Sequence, residues 1–393
     1  MSTYTDNPTD PEAGPMRSVA VSSAPADAPR PPRTARRRRP RRSAGVRLLA
    51  VLAVLVVAIT ACGAGDDDAA SGTGGDGDEA TSSDEGAFPV EIDHKYGTTT
   101  IEAVPERVVT VGLTDQDPVL ALGVVPVGIT DWFGEHPNAV WPWAQDLLGD
   151  AEPAVIPSSD SVNVELVASL EPDVILALYA GLTDQEYENL SQIAPTVAQP
   201  GEHVDFGIPW QEQTRTIGQV LGKPDEADAL VQDVEDQFAQ ARADHPEFEG
   251  AVGTVATPYD GAVSVYAPED VRGRFMSELG FVPFEGLEDL VGDEFAAELS
   301  LEQTELLDVD ALVWIVSDDI EDDLATLHDQ PLYGGLSVVT EGREVPVSND
   351  GTLGGATSFQ TVLSLPVLLD GIVPMLAAAV DGDPATPVDS SAD

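Results

Sequence analysis

The stretch Lys223-Pro224-Asp225-Glu226-Ala227-Asp228-Ala229-Leu230-Val231-Gln232-Asp233-Val234-Glu235-Asp236-Gln237-Phe238-Ala239-Gln240-Ala241 reads as one long helix. Its apolar residues Ala227, Leu230, Val231, Val234, Phe238 and Ala241 recur at three- and four-residue spacing, and a proline followed by two acids opens it, as a helix N-terminus favours. On either side, short apolar runs of strand type alternate with helical ones. Upstream, Arg107-Val108-Val109-Thr110-Val111 is a strand, and Asp115-Gln116-Asp117-Pro118 starts a helix before Leu120-Ala121-Leu122-Gly123. Val124 to Ile129 (strand), Val164 to Leu170 (helix), Val174 to Leu178 (strand), Thr183 to Ile193 (helix) and Thr196-Val197 (strand) follow. Downstream, strands are expected at Ala251 to Thr257, Val263 to Tyr266 and Leu312 to Val316, with helices at Phe275 to Leu279 and near Phe359 to Ala378. This alternation predicts an α/β fold with largely parallel sheets, and the long helix then joins two lobes. We expect an N-terminal lobe at 88–222, the interlobe helix at 223–245, a C-terminal lobe at 246–380 and a disordered tail at 381–393.

The segments before residue 88 belong to no lobe. Residues 1–45 are rich in Pro, Ser, Ala and Arg, and the basic run Arg36 to Arg42 leads to the apolar Val46-Arg47-Leu48-Leu49-Ala50-Val51-Leu52-Ala53-Val54-Leu55-Val56-Val57-Ala58-Ile59-Thr60. That run falls short of the roughly 20 residues a membrane span needs, and basic flank, apolar middle and small residue make the pattern of a secretory signal at 1–61. Ile59-Thr60-Ala61-Cys62 resembles the lipobox of bacterial lipoproteins, which implies cleavage before Cys62, lipidation of its thiol and an anchor facing outside the cytoplasm. Cys62 is the chain's single cysteine, so no internal disulfide can form. Residues 62–87 are small and acidic and read as a solvated tether. Gly72-Thr73-Gly74-Gly75-Asp76-Gly77 matches a dinucleotide fingerprint formally, but no strand precedes it and no helix follows.

Charge is distributed unevenly. Residues 1–61 hold ten Arg and four acids, which leaves eight Lys+Arg and 66 Asp+Glu of the chain's 18 and 70 for everything from Cys62 onward. Such a surface repels nucleic acid and keeps the chain soluble where salt screens self-repulsion. Salt adaptation and a GC-rich coding bias both produce this composition. The five histidines, His94, His136, His203, His245 and His328, are scattered without paired helical spacing or companion cysteines, so no metal site is expected from them. No Gly-x-Ser-x-Gly elbow, HExxH helix or phosphate loop is present, so no enzyme constellation is visible and no cofactor is expected.

An internal repeat links the lobes. Asn163-Val164-Glu165 leads, eight residues after the Glu, to Asp173 before the strand Val174-Ile175-Leu176; Ser300-Leu301-Glu302 leads by the same interval to Asp310 before Ala311-Leu312-Val313. With this repeat, several patches resemble the substrate-binding proteins of siderophore, haem and cobalamin ABC importers. They are Pro105-Glu106-Arg107-Val108-Val109, Leu122-Gly123-Val124-Val125-Pro126-Val127-Gly128, Glu171-Pro172-Asp173-Val174-Ile175, Leu221-Gly222-Lys223-Pro224, Phe275 to Gly280, and Pro331-Leu332 through Gly342-Arg343. The resemblance spans about residues 88–380 and implies two Rossmann-like lobes, each a mainly parallel sheet flanked by helices, joined by one rigid helix. It further implies a monomer that carries a ferric siderophore to an ABC permease dimer, with Glu165 and Glu302 on the lobe tips meeting permease arginines.

A ferric siderophore is bulky, with apolar edges and chelate oxygens, so its cleft needs aromatic walls and a few fixed cations. Arg272 and Arg274 lie where a loop enters a helix, a place where the resemblance puts cleft cations; local salt bridges are the competing reading. Arg215 is expected on a helix surface and Arg107 at a strand start. Ligands of such sheets bind beyond the carboxyl edges, which nominates Trp132 with Phe133, Tyr179 and Tyr259, each also compatible with ordinary packing. Trp141 and Trp143 either cap the cleft or close a satellite core, and Trp314 is expected in the core. A haem or cobalamin binder of the same fold, or a sensor or adhesion lipoprotein without an importer, are the alternatives. Under salt adaptation, denaturation titrations should show stability rising between low and molar salt; a flat response removes that reading.

Overall fold

The computed structural model describes residues 88–388, apart from 159, 160, 260, 261 and 293. The signal sequence, Cys62 and the acidic tether lie outside these described residues, as do the side chains of Tyr259 and Leu301. A hairpin of β1 (Val90–His94) and β2 (Gly97–Ile101) precedes the first lobe. That lobe contains β3 (Val108–Thr110), α1 (Gln116–Ala121), β4 (Gly128–Asp131), β5 (Ala154–Pro157), α2 (Val164–Ser169), β6 (Val174–Ala177), α3 (Asp184–Ser191), β7 (Thr196–Ala198) and α4 (Trp210–Val220). Its sheet runs β5-β4-β3-β6-β7 with every pairing parallel. Val174, Ile175 and Leu176 are fully buried, as expected for a strand covered by helices on both faces.

The helix α5 (Pro224–Asp244) then crosses to the second lobe. Its Ala227 belongs to the first lobe's core, and Val231, Val234 and Phe238 belong to the second's, with Leu230 packed against both. One amphipathic stripe therefore ties two cores together, and full burial of Phe238 alone contributes about 2–3 kcal/mol. The second lobe contains β8 (Gly253–Tyr259), β9 (Ala262–Tyr266), α6 (Val271–Glu278), α7 (Leu287–Val291), β10 (Ala296–Leu299), β11 (Ala311–Val316), α8 (Ile320–His328), α9 (Ser337–Thr340), β12 (Glu344–Ser348), α10 (Thr352–Phe359) and α11 (Ser364–Val380). Its sheet runs β10-β9-β8-β11-β12; the β8-β11 and β11-β12 pairings are parallel, and the two at the β10 edge antiparallel. The expected α/β class of two mainly parallel, helix-flanked sheets is present. Trp314 on β11 is fully buried, as expected, and its indole N–H donates to Tyr333 Oη and Glu344 Oε1, both at 3.0 Å. Val388, in the segment expected as a tail, packs against the second lobe's core.

Two local expectations are corrected. The strand expected at Val124 to Ile129 begins only at Gly128: Val124 N–H turns back to Val119 O at 3.1 Å, and Pro126 has no N–H to offer a ladder. The closing helix expected from Phe359 is broken, because Gln360 takes a left-handed conformation (φ 47°) and Thr361 folds onto Ser364 before α11 starts. That break has a functional consequence, since it presents Thr361 to the other lobe.

The repeat has a physical basis. Asp173 accepts from the N–H groups of Glu106 (2.7 Å) and Arg107 (2.9 Å) at the entry to β3, and Asp310 accepts from Val252 N–H (2.9 Å) at the entry to β8. Each acid thus clamps its strand to the neighbouring one from the same side. The two copies differ in the preceding turn: Asn163 caps an α-helix, whereas Ser300 and Gln303 form a capping box on a 3-10 helix, Leu301–Leu307. Replacing either acid, Asp173→Ala or Asp310→Ala, should cost about 1–2 kcal/mol in chemical denaturation, because each removes charge-assisted bonds to a strand entry.

Candidate functional site

The carboxyl edge of the first sheet is assembled around a buried acid. Asp115 accepts from Leu178 N–H (2.8 Å) and Tyr179 N–H (3.2 Å) where β6 ends, and from Gln213 Nε2 of α4 at 2.7 Å. The backbone at Gly112 passes so close that a Cβ there would lie 2.1 Å from the Asp115 carboxylate, so only glycine fits. Burial raises the Asp115 pKa from 3.8 to about 6, against the bonds from Gln213, Leu178 and Tyr179.

Asp117, also fully buried, connects the lobes. Its Oδ2 accepts from Thr361 Oγ1 of the second lobe at 2.6 Å and from Trp143 Nε1 at 2.9 Å, while its Oδ1 has no partner. Burial likewise raises its pKa to about 6. Two further links cross between lobes: Glu278 of α6 accepts from Gln211 Nε2 (2.8 Å) and Trp210 Nε1 (3.3 Å), and Arg274 Nη2 donates to Gly207 O at 2.6 Å.

Aromatic rings from both lobes pack against one another where the lobes meet. Trp132 contacts Phe133 (centroids 4.9 Å), Tyr179 (6.2 Å) and Phe359 at the end of α10 (5.2 Å); Tyr179 meets Phe206 edge-on at 5.3 Å. Trp141 stacks on Trp143 at 5.0 Å and touches Phe133, so this pair braces the aromatic wall from behind. A pocket lined by Val111, Leu113, Thr130, Pro157, Ala180 and Phe206 opens beyond the strand ends, where ligands of parallel sheets bind.

The second lobe contributes charge. Asp270 caps α6 by accepting from Arg272 N–H (3.0 Å), and the Arg272 fork grips the same carboxylate through Nε (2.6 Å) and Nη2 (2.8 Å). The guanidinium lies 3.7 Å over the Tyr266 ring. Burial opposes the Arg272 charge, but Asp270 and the neighbouring tyrosines hold its pKa above the ordinary value. Arg274 differs: burial lowers its pKa, and its Nη1 is a buried donor without a partner. Burial also raises the Tyr179 hydroxyl, which feels Asp270, Arg272 and Arg274 together.

The structure therefore brings Trp132, Tyr179, Arg272 and Arg274 into one neighbourhood. Sequence reasoning missed Phe206, Tyr266, Asp270 and Phe359. Asp270 had a readable signal as a cap residue before the Val271 helix; Phe359 had none, because it was read as the start of the closing helix. Glu165 and Glu302 are exposed in the first turns of α2 and of the 3-10 helix. Arg215 pairs with Asp228 on the helix surface, and Arg107 donates to the carbonyls of Leu170 and Glu171 at its strand entry. Glu202, His203 and Glu212 bring ligand atoms within 4.8 Å of one another, but His203 and Glu212 are already bonded to each other at 2.7 Å.

The periplasmic binding protein family model matches residues 108–345. An Fe(3+)-citrate-binding protein of Bacillus subtilis is 25% identical over 260 residues, covering 66% of this chain and 78% of the relative. The Fe(3+) dicitrate-binding periplasmic protein of Escherichia coli is 27% identical over 203 residues, covering 49% and 62%. Among solved structures, a periplasmic solute binding protein from Mycobacterium smegmatis superposes with TM-score 0.66 at 37% identity, covering 74% of this chain and 98% of that one. The iron-uptake substrate-binding protein PiaA of Streptococcus pneumoniae gives 0.65 at 27%, covering 75% and 100%.

Because Asp115 and Asp117 have raised pKa values, the folded chain holds more protons than the unfolded one between pH 3.8 and about 6, so their contribution to stability falls as pH rises through that window. Moving from pH 7 to pH 5 should therefore stabilise the protein by about 1 kcal/mol for each of them, and Asp117→Asn should remove its share of that gain in denaturation curves at the two pH values.

Proposed function

Because the chain belongs to the periplasmic binding protein family, we propose that it captures a ferric siderophore between its lobes and delivers it to an ABC importer. The family is one of substrate-binding proteins, not enzymes, and its relatives here include proteins named for ferric citrate and for siderophores. The observation that carries the reading is the aromatic cluster between the lobes, where Trp132, Tyr179, Phe206 and Phe359 meet and Arg274 brings a buried N–H without a partner. A ferric chelate has the matching surface: apolar edges for the rings, and coordinating oxygens for the guanidinium.

Capture needs little movement. The α5 stripe and the bonds through Asp117, Arg274 and Glu278 tie the lobes at several points, so a ligand enters by breaking a few of these contacts. Lipidation at Cys62 would keep the carrier beside its membrane partner, with acyl burial contributing about 0.8 kcal/mol per methylene. Docking would use Glu165 and Glu302, exposed acids at equivalent positions of the repeat, as two electrostatic contacts to permease arginines.

Titrating the full chain with ferric siderophores should quench tryptophan fluorescence saturably, since Trp132 lies in the wall; a flat response to every ferric chelate tested sinks the proposal. The double variant Glu165→Arg with Glu302→Arg should bind chelate within about threefold of wild type yet abolish uptake by cells. Unchanged uptake would remove the docking role and leave the binding role standing.

A further inference from the structure

The cleft holds two arginines, but only one carries uncommitted charge. Arg272 gives two of its donors to the Asp270 carboxylate and stacks on Tyr266, so the pair contributes almost no net field to a ligand. Arg274 spends one donor on Gly207 O and keeps Nη1 buried and unpaired. Glu269 and Glu278 act on Arg274, and Asp131, Glu135 and Asp350 lie around His136, whose ring meets Trp141 of the aromatic cluster. From Cys62 onward as a whole, eight Lys+Arg face 66 Asp+Glu.

That arrangement discriminates among ferric chelates by charge. Three hydroxamates cancel the charge of Fe(III) and leave a neutral complex. Three catecholates carry twice as much negative charge and leave a trianion, and citrate complexes are anionic as well. A multiply charged anion entering here would lose its hydration, meet one guanidinium with a single unpaired donor, and face Glu269 and Glu278 beside it. A neutral chelate meets aromatic rings that favour its apolar edges, and one buried N–H suited to a hydroxamate oxygen.

We infer that the cleft is built for a charge-neutral ferric trihydroxamate, with Arg274 as the ligand-contacting cation and Asp270 as the residue that excludes anionic chelates by neutralising Arg272. This assignment rests on the reading of the chain as a ferric-siderophore carrier and narrows it to one ligand class. Asp270 is then a specificity residue as well as a helix cap. Asparagine keeps the cap, since its side-chain oxygen still accepts from Arg272 N–H, while releasing the guanidinium charge.

The test is fluorescence titration of the full chain with a ferric trihydroxamate, a ferric triscatecholate and ferric dicitrate, in low and in molar salt. The trihydroxamate should bind at least about tenfold more tightly than either anion in both conditions. Asp270→Asn should strengthen binding of the anions by about tenfold and move the trihydroxamate by less than about threefold, and Arg274→Gln should weaken the trihydroxamate by about tenfold. Equal or tighter binding of an anionic chelate by wild type overturns the inference while the carrier reading stands. A preference that disappears in molar salt also overturns it, because the acidic exterior and not the cleft would then be selecting. Failure of all three chelates to bind removes the carrier reading itself.

Discussion

Two buried carboxylates, two residues apart, organise the region between the lobes. Asp115 gathers the end of β6 and the face of α4 by accepting from Leu178, Tyr179 and Gln213, while Asp117 reaches across to Thr361. Burying acids is costly, as their raised pKa values record, and each is tolerated because donors are aimed at it from separate elements. The position of Tyr179 and the approach of Phe359 both depend on these bonds. Asp117 Oδ1 stays unpaired, so the interlobe contact is only partly satisfied and retains a polar group able to accept a further bond.

The helix α5 supplies the complementary constraint. With Ala227 in one core and Phe238 in the other, it cannot bend without opening apolar surface on one side. The lobes therefore differ in what holds them: α5 joins them by packing, whereas Asp117, Arg274 and Glu278 join them by hydrogen bonds. Polar contacts can be exchanged for ligand contacts at small net cost, but a packed core cannot, so the cleft side yields first.

Much of the architecture was legible because it is local. The apolar spacing of residues 227–241 describes one face of a helix, and Val231, Val234 and Phe238 are buried on it. Trp314 sits in an unbroken apolar run and lies in the core. Errors arose where one residue outweighed the pattern: Pro126 withholds a ladder donor, and Gln360 reverses the chain inside an apparently continuous helix. The repeat was visible as spacing, although the reason for its two aspartates appeared only when their partners at the strand entries were seen.

The cleft divides in the same way. That Trp132 and Tyr179 follow strands, and that Arg272 and Arg274 open a helix, can be read from neighbours in the chain, because strand ends and helix starts are set by short-range backbone chemistry. Whether an arginine is free to meet a ligand is a different kind of fact. Arg272 is bound to Asp270 and Arg274 keeps an unpaired donor, yet both are arginines in the same helical turn. Phe359 reaches Trp132 from far along the chain. Partner choice depends on which groups the folded backbone brings within a few ångströms, and sequence order holds no record of that distance.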